Sequence, residues 1–210
     1  MADPSDRPSL RAEQVQQTRA ALIASGRRLF GERGFAATSV EEIARDARVT
    51  TGALYHHFPN KTALFEAVFE EVHAEMMAAS ARAAEGADRV TDELEFLARG
   101  FEAFLDAVLE PDVQQILITD APAVLGLARF TELDERYAFT AIADALRTAT
   151  AAGKVSVEDP ETVTRLLLGA LVRGGMLIAS SPRPAQTRDA VARSIRAMLA
   201  GAAQPAGPAA

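Results

Sequence analysis

Thr50, Thr51, Gly52, Ala53, Tyr55 and His56 are the residues of this chain best suited to chemistry at a surface. Gly52 and Ala53 are small enough for a backbone to approach a partner closely. The threonine and tyrosine hydroxyls and the imidazole supply hydrogen bonds beside that approach. Such a set recognises base edges and phosphates rather than making or breaking bonds. Lys61 follows in the first turn of the next expected helix, where its charge opposes the helix dipole. A bound phosphate offsets that conflict, because the ammonium and the free amides can hold it together.

Residue sets suited to catalysis or metal binding do not assemble. The chain has three histidines and no cysteine. His56 and His57 are adjacent, so on a helix they point about 100° apart and cannot share a metal. Glu70 and His73 have the Glu-x-x-His spacing of di-iron bundles, but that site needs a second copy on another helix, and no histidine is left to supply it. The carboxylate pairs Glu70/Glu71, Glu93/Glu95 and Asp134/Glu135 alternate with apolar residues at helical spacing, as solvated faces do. There is no glycine-rich phosphate loop. Only His73 is free to act as the base for a serine or threonine nucleophile. The expectation is no enzyme, no cofactor and no metal site.

The elements that must position these residues are helices. Hydrophobic residues make up 49% of the 210 residues, rich in Ala and Leu, and the fold class expected is all-α with about nine helices and no strand. The first runs from about Gln17 to Arg33, with Leu22, Gly26, Leu29 and Phe30 on one face, and stops at Gly34. Ser39-Val40-Glu41-Glu42 fits a capping box opening a second helix, about 39–47. A third, about 50–57, follows a tight turn at Arg48-Val49. The two helices must cross steeply, which is helix-turn-helix geometry, with Val40, Ile43, Ala44, Ala47, Val49, Leu54 and Phe58 turned inward. Asn60 can cap a long fourth helix reaching about Ala84. Further helices are expected at about 91–109, 112–119, 122–128, 132–152, 160–180 and 187–200, with Asp159-Pro160 a strong start signal. Residues 1–16 are expected to form a loose arm, 17–62 the head, 63–200 the body and 201–210 a disordered tail.

The net charge is −7. Residues 1–62 hold 9 basic and 7 acidic residues and residues 63–210 hold 13 and 22, so the head is slightly basic and the body strongly acidic. That division suits a protein whose head alone meets phosphate. The longest apolar run, Leu166 to Val172, ends at Arg173, short of a membrane span. With no apolar run near the N-terminus, a soluble cytoplasmic protein without a membrane partner is expected.

The stretch from Thr18 to Val72 resembles the N-terminal domain of the tetracycline-repressor (TetR) family. The resemblance is carried by FGERGFAATSVEEIA at Phe30–Ala44 and VTTGALYHHFPNKTALF at Val49–Phe65. It covers about a quarter of the chain, and many fixed positions agree in order and spacing. One departure is Arg48, where the family usually has glycine; arginine must make that turn without glycine's freedom. The resemblance implies that Thr38 and Ser39 touch phosphates and that Lys61 pins one. It places Thr50, Thr51, Gly52, Ala53, Tyr55 and His56 at the major groove of double-stranded DNA. It also implies a homodimer, a near-palindromic operator, and release by a small-molecule effector that tilts the head through the fourth helix. The APAVLG stretch at 121–126 resembles the C-terminal domain of one subgroup.

Where the family places its cavity, this chain concentrates His73, Phe101, Phe104, Leu105, Phe130, Tyr137 and Met176, which form an expected effector pocket. Core packing is the competing use for each. Arg173 interrupts an apolar helix face and must be paired, exposed or facing an anionic effector. Gly169, Ala170, Gly174 and Gly175, with Ala190, Ala192, Ala197 and Leu199, allow close helix approach at a four-helix dimer interface. Two alternatives remain open at this stage: a ligand-activated regulator, and a ligand-binding bundle that has lost DNA binding.

Overall fold

Local signals in the sequence set nearly every helix boundary. The computed structural model describes residues 10–85 and 93–202. In it α1 spans Leu10–Arg33, α2 Val40–Asp46, α3 Thr51–His57 and α4 Lys61–Glu85. α5 is Glu93–Ala107. α6, Pro111–Val113, runs on through a π-helical segment, Gln114–Asp120, into α7, Ala121–Leu125. α8 is Leu127–Ala151, α9 Pro160–Ala179 and α10 Pro184–Ala202, with no strand among the described residues.

The caps supply partners for amides that a helix start leaves free. The Ser39 hydroxyl accepts from the Glu42 amide at 3.2 Å, and the Glu42 carboxylate accepts from the Ser39 amide at 2.9 Å. Bonds from the Ser39 amide, and then the Ser39 hydroxyl, hold the Glu42 carboxyl below the usual carboxylate range. Asn60 accepts from the Ala63 amide at 2.8 Å, and Asp159 accepts from the Glu161 and Thr162 amides, both at 3.1 Å. Gly34 ends α1 at φ 79°. Arg48 makes the turn between α2 and α3 at φ 57°, the one positive φ among described non-glycine residues.

Several boundaries correct the sequence expectation. Residues 10–16, expected in a loose arm, belong to α1; they are strong helix formers and need no buried face to continue the helix. The helices expected at 112–119 and 122–128 form one rod. Pro122 has no N–H to donate and its ring crowds the carbonyl four residues back, and the wider π turn precedes it. α8 begins at Leu127, just after Gly126 breaks the chain at φ 77°, and α10 begins at Pro184. Residues 201 and 202 are helical; 1–9, 86–92 and 203–210 lie outside the described residues.

α4 is the central element. Leu64, Phe65, Val68, Phe69, Val72 and Met76 form one buried stripe along it, against α1 at one end and α5 and α8 further on. Gly26 lets α1 pass close, because a Cβ there would lie 3.1 Å from Val68 Cγ2. Phe30, Phe35 and Phe65 close the junction, with ring centroids 5.3–5.7 Å apart. α9 is, among described residues, the one helix long and apolar enough to cross a membrane, although its longest unbroken apolar run is short. One side of it packs on α8, α10, α5 and the π-helical segment, while Leu166 and Leu177 stay exposed.

A left-handed arginine is strained by about 1–2 kcal/mol, partly offset for glycine by unfolded-state entropy. Arg48→Gly is expected to stabilise the protein by roughly 0.5–1 kcal/mol, read as a rise in Tm; an unchanged or lower Tm would show that the turn stores no strain.

Candidate nucleic-acid interface and cavity

The head presents the outer face of α3. Leu54 is fully buried against Ile43 and Phe58, which turns Gly52, Tyr55 and His56 to solvent. Tyr55 is 50% exposed, one of the few large side chains so placed. Thr50 caps α3, accepting from the Ala53 amide at 3.1 Å. Thr51 and Ala53 are half-buried at the edge of the same face. Burial first, then the charges of His56 and Arg19, holds the His57 imidazole below its ordinary value.

Gly52 is the informative position. A Cβ added there would meet only the Thr50 hydroxyl, at 3.9 Å, which is ordinary contact. Neither packing nor backbone geometry inside the chain calls for glycine, yet glycine weakens a helix relative to alanine by up to about 1 kcal/mol.

Three expected phosphate contacts look different in the structure. Thr38 is 2% exposed, and its hydroxyl is shared between the Gly34 and Leu29 carbonyls at 2.9 and 3.2 Å, so it faces inward. The Ser39 hydroxyl and amide are both engaged with Glu42. The Lys61 ammonium donates to the Phe35 and Thr38 carbonyls at 2.8 and 2.9 Å and lies 4.1 Å from the centroid of the Phe35 ring. Two of its three N–H bonds therefore hold the α1–α2 loop, and the conflict with the dipole is relieved inside the protein. From the sequence, Arg48 is read only as a departure at the turn and Arg45 is not named as a contact. Both are exposed beside the α2–α3 turn, and neither forms an ion pair among the described residues. Their placement at the turn was the signal.

The body holds a partly open cavity of about 100 Å³ between α4, α5, α8 and α9. His73, Phe101 and Phe104 line it as expected; Phe96, Met77 and Ser80 line it as well. Met77 lies one turn and Ser80 two turns from His73 on the same helix face, which could have revealed them; Phe96, five residues before Phe101, carries no such signal. Five expected pocket residues lie elsewhere. Leu105 is core, and Phe130 packs on Phe69 at 5.9 Å between centroids. Tyr137 stacks behind His73 at 5.0 Å, its phenol held above its ordinary value by burial first and the Glu70 charge second. Met176 packs on the core, and Arg173 is exposed on the outer side of α9. No cationic residue lines the cavity, so an anionic effector held by Arg173 is set aside.

His73 Nε2 is 3.1 Å from Asp134 Oδ1, linking α4 to α8. His73 Nδ1 and Ser80 Oγ are buried with no hydrogen-bond partner. No group of three or more His, Cys, Asp or Glu among the described residues could hold a metal. The small residues also divide in use. A Cβ on Gly174 would lie 2.7 Å from Val191, and one on Gly175 would lie 2.7 Å from Ile118, so these two serve internal packing. Ala192 and Leu199 are buried as well, whereas Gly169, Ala190 and Ala197 face outward.

A helix-turn-helix head joined by one long helix to an all-helical body with a cavity is the class that this architecture defines. Residues 22–68 match the family model for bacterial regulatory proteins of the tetR family, and residues 94–202 match that for the tetracyclin repressor-like C-terminal domain. A solved structure of a TetR-family transcriptional regulator from Pectobacterium atrosepticum is 30% identical, with a TM-score of 0.80 over 95% of this chain and all of that one. The chain belongs to the TetR family. The Transposon Tn10 TetC protein of Escherichia coli is 30% identical over 125 residues, 60% of this chain and 61% of that protein. The structure of RolR in complex with resorcinol shares the fold at 23% identity and a TM-score of 0.70, over 94% of this chain and 98% of that one.

If Lys61 serves the loop, Lys61→Met is expected to destabilise the protein by about 2 kcal/mol, since two carbonyls lose a charged donor. Thermal unfolding without any nucleic acid checks this, and an unchanged Tm would return Lys61 to a purely external role.

Proposed function

We propose that the protein is a transcriptional repressor that binds a near-palindromic operator as a homodimer and leaves it when a small molecule fills the body cavity. The observation that carries the DNA reading is Gly52. It sits on an exposed helix face beside an exposed tyrosine, and its missing side chain serves nothing within the chain. Close approach by an external surface accounts for it, and a major groove floor flanked by phosphates fits the hydroxyls around it. Arg45 and Arg48, with Thr50, Thr51, Tyr55 and His56, are the proposed contacts; Ala53 and Gly52 set the distance, and Lys61, Thr38 and Ser39 position the loop.

The proposed dimer face is the outer side of α9 and α10. Leu166 is 68% and Met198 59% exposed, and Gly169 has open space where a Cβ would be. A two-fold pairing there would place two α3 helices about 34–36 Å apart, one turn of DNA.

Two routes support coupling. α4 carries Lys61 at one end and lines the cavity with His73, Met77 and Ser80 towards the other. The rod 111–125 forms the second. Arg27 of α1 bonds Asp112 at 3.1 Å, the Phe35 amide donates to Asp120 at 2.7 Å, and Ile118 meets Gly175 of α9. A ligand that separates the helices around the cavity acts on both. A coupling free energy of about 1–3 kcal/mol is typical for such release. RolR, which shares this fold, is solved in complex with resorcinol, and that supports a small molecule as the ligand.

Gly52→Ala tests the DNA reading with effects of opposite sign. It is expected to raise stability by roughly 0.5–1 kcal/mol and to weaken binding to fragments selected from genomic DNA at least tenfold; tight binding by a stabilised variant would sink the reading. For the coupling, Asp120→Ala is expected to keep ligand binding and reduce the ligand's effect on DNA affinity. Undiminished release by that variant would remove the rod from the route.

A further inference from the structure

Three observations bear on what fills the cavity. The first is size and lining: about 100 Å³, walled mainly by phenylalanine, leucine, isoleucine and alanine side chains. An engineered apolar cavity of comparable order takes one benzene ring. The second is open space at Gly100, which lines the cavity in mid-α5 and has no atom within 4 Å of a built Cβ. As at Gly52, glycine here weakens the helix without an internal reason, and it keeps the room clear.

The third is polar. His73 and Ser80 both line the cavity, are 2% and 5% exposed, and each carries a buried polar atom without a partner. Leaving such atoms unmet destabilises the fold. Asp134, the one acidic residue of the lining, accepts from His73 Nε2 when ionised, which leaves Nδ1 of a neutral imidazole as an acceptor. Ser80 Oγ can donate or accept. The two residues lie two turns apart on one face of α4, about 10.5 Å along the axis. A ligand that meets both atoms therefore needs a polar group towards each end of the cavity.

We infer that the ligand of this cavity is a neutral single-ring molecule with a hydroxyl at each end, one donating to His73 Nδ1 and the other meeting Ser80. The inference rests on the cavity being the effector site. A carboxylate faces Asp134 and has no lysine or arginine to meet it. A hydroxyl, unlike an ammonium group, satisfies His73 in either protonation state.

An isosteric series on the full-length protein tests this by calorimetry: p-xylene, 4-methylphenol and 1,4-dihydroxybenzene, with 4-methylbenzoate and 4-methylbenzylamine as charged counterparts. Affinity is expected to rise about five- to tenfold with each hydroxyl, and both charged rings are expected to bind more weakly than 4-methylphenol. His73→Phe keeps the ring packing against Phe69 and Tyr137 and is expected to remove one step of the series. Ser80→Ala is expected to remove the other, with p-xylene binding unchanged in both and circular dichroism confirming the fold. Equal affinity across the series, no binding by any member, tightest binding by a charged ring, or steps that survive both substitutions would each overturn the proposal. Operator release is read separately. Hydroxyl-dependent binding without release leaves the ligand class standing and removes the effector reading; release by an unrelated compound that does not compete for the cavity removes the cavity's role.

Discussion

One constraint governs this molecule: the apolar stripe of α4 must be buried along its whole length, and its two ends are buried by different neighbours. Leu64, Phe65 and Val68 are covered by α1 and the aromatic junction, while Phe69, Val72 and Met76 are covered from the body. The head has little core of its own. Ile43, Leu54 and Phe58 meet Leu22 and Phe30, and that cluster continues into the body without a gap. The head cannot be repositioned without disturbing α4, nor α4 without disturbing the cavity wall. Packed interiors resist continuous deformation, so a perturbation at one end passes to the other as a displacement.

Polar ties set the direction in which α4 and the head are held. Arg129 and Arg136 of α8 bind Glu66 and Glu70 on α4, and Arg27 of α1 binds Glu75 and Asp112. Each pair is partly exposed and worth little singly. Their arrangement matters more than their strength, because they lie on opposite sides of the buried stripe and oppose rotation of α4 about its axis. His73–Asp134 is the tie that also borders the cavity. A ligand reaching His73 therefore acts on a link between α4 and α8 already under constraint.

The fold was legible where chemistry is local. Ser39, Asn60 and Asp159 announce helix starts through side chains that bond amides two or three residues away, and Gly34 and Gly153 announce stops. The family membership was legible for the same reason, since the head is short and its motif is dense in specific residues. Residues 10–16 were misread because periodicity was taken as a condition for helix, whereas propensity alone extends one that is already nucleated. At the candidate site, the outer face of α3 followed from spacing. Thr38 and Lys61 did not, because whether a polar side chain serves a neighbouring carbonyl or an outside phosphate depends on where a separate loop lies. The cavity lining was half legible: His73, Phe101 and Phe104 were separated from Phe130 and Met176 only by how α4, α5, α8 and α9 cross, and crossing geometry leaves no mark in periodicity.

The glycines show how the sites can be told from the scaffold. Gly26, Gly31, Gly174 and Gly175 each sit where a Cβ would lie 2.7–3.1 Å from another element, so the fold itself accounts for them. Gly34 and Gly153 are accounted for by positive φ. Gly52, Gly100 and Gly169 lie within helices, at ordinary φ, with open space or mere contact where a side chain would go. Each weakens its helix for no internal return, and each falls on a different surface: the outer face of α3, the cavity, and the outer face of α9. A chain under pressure only for stability would have filled them with alanine. The vacancies at Gly52, Gly100 and Gly169 fit the partners proposed for those surfaces, DNA, a small ligand and a second copy, whereas the open space at Gly201, in the last turn of α10, is what a helix end gives.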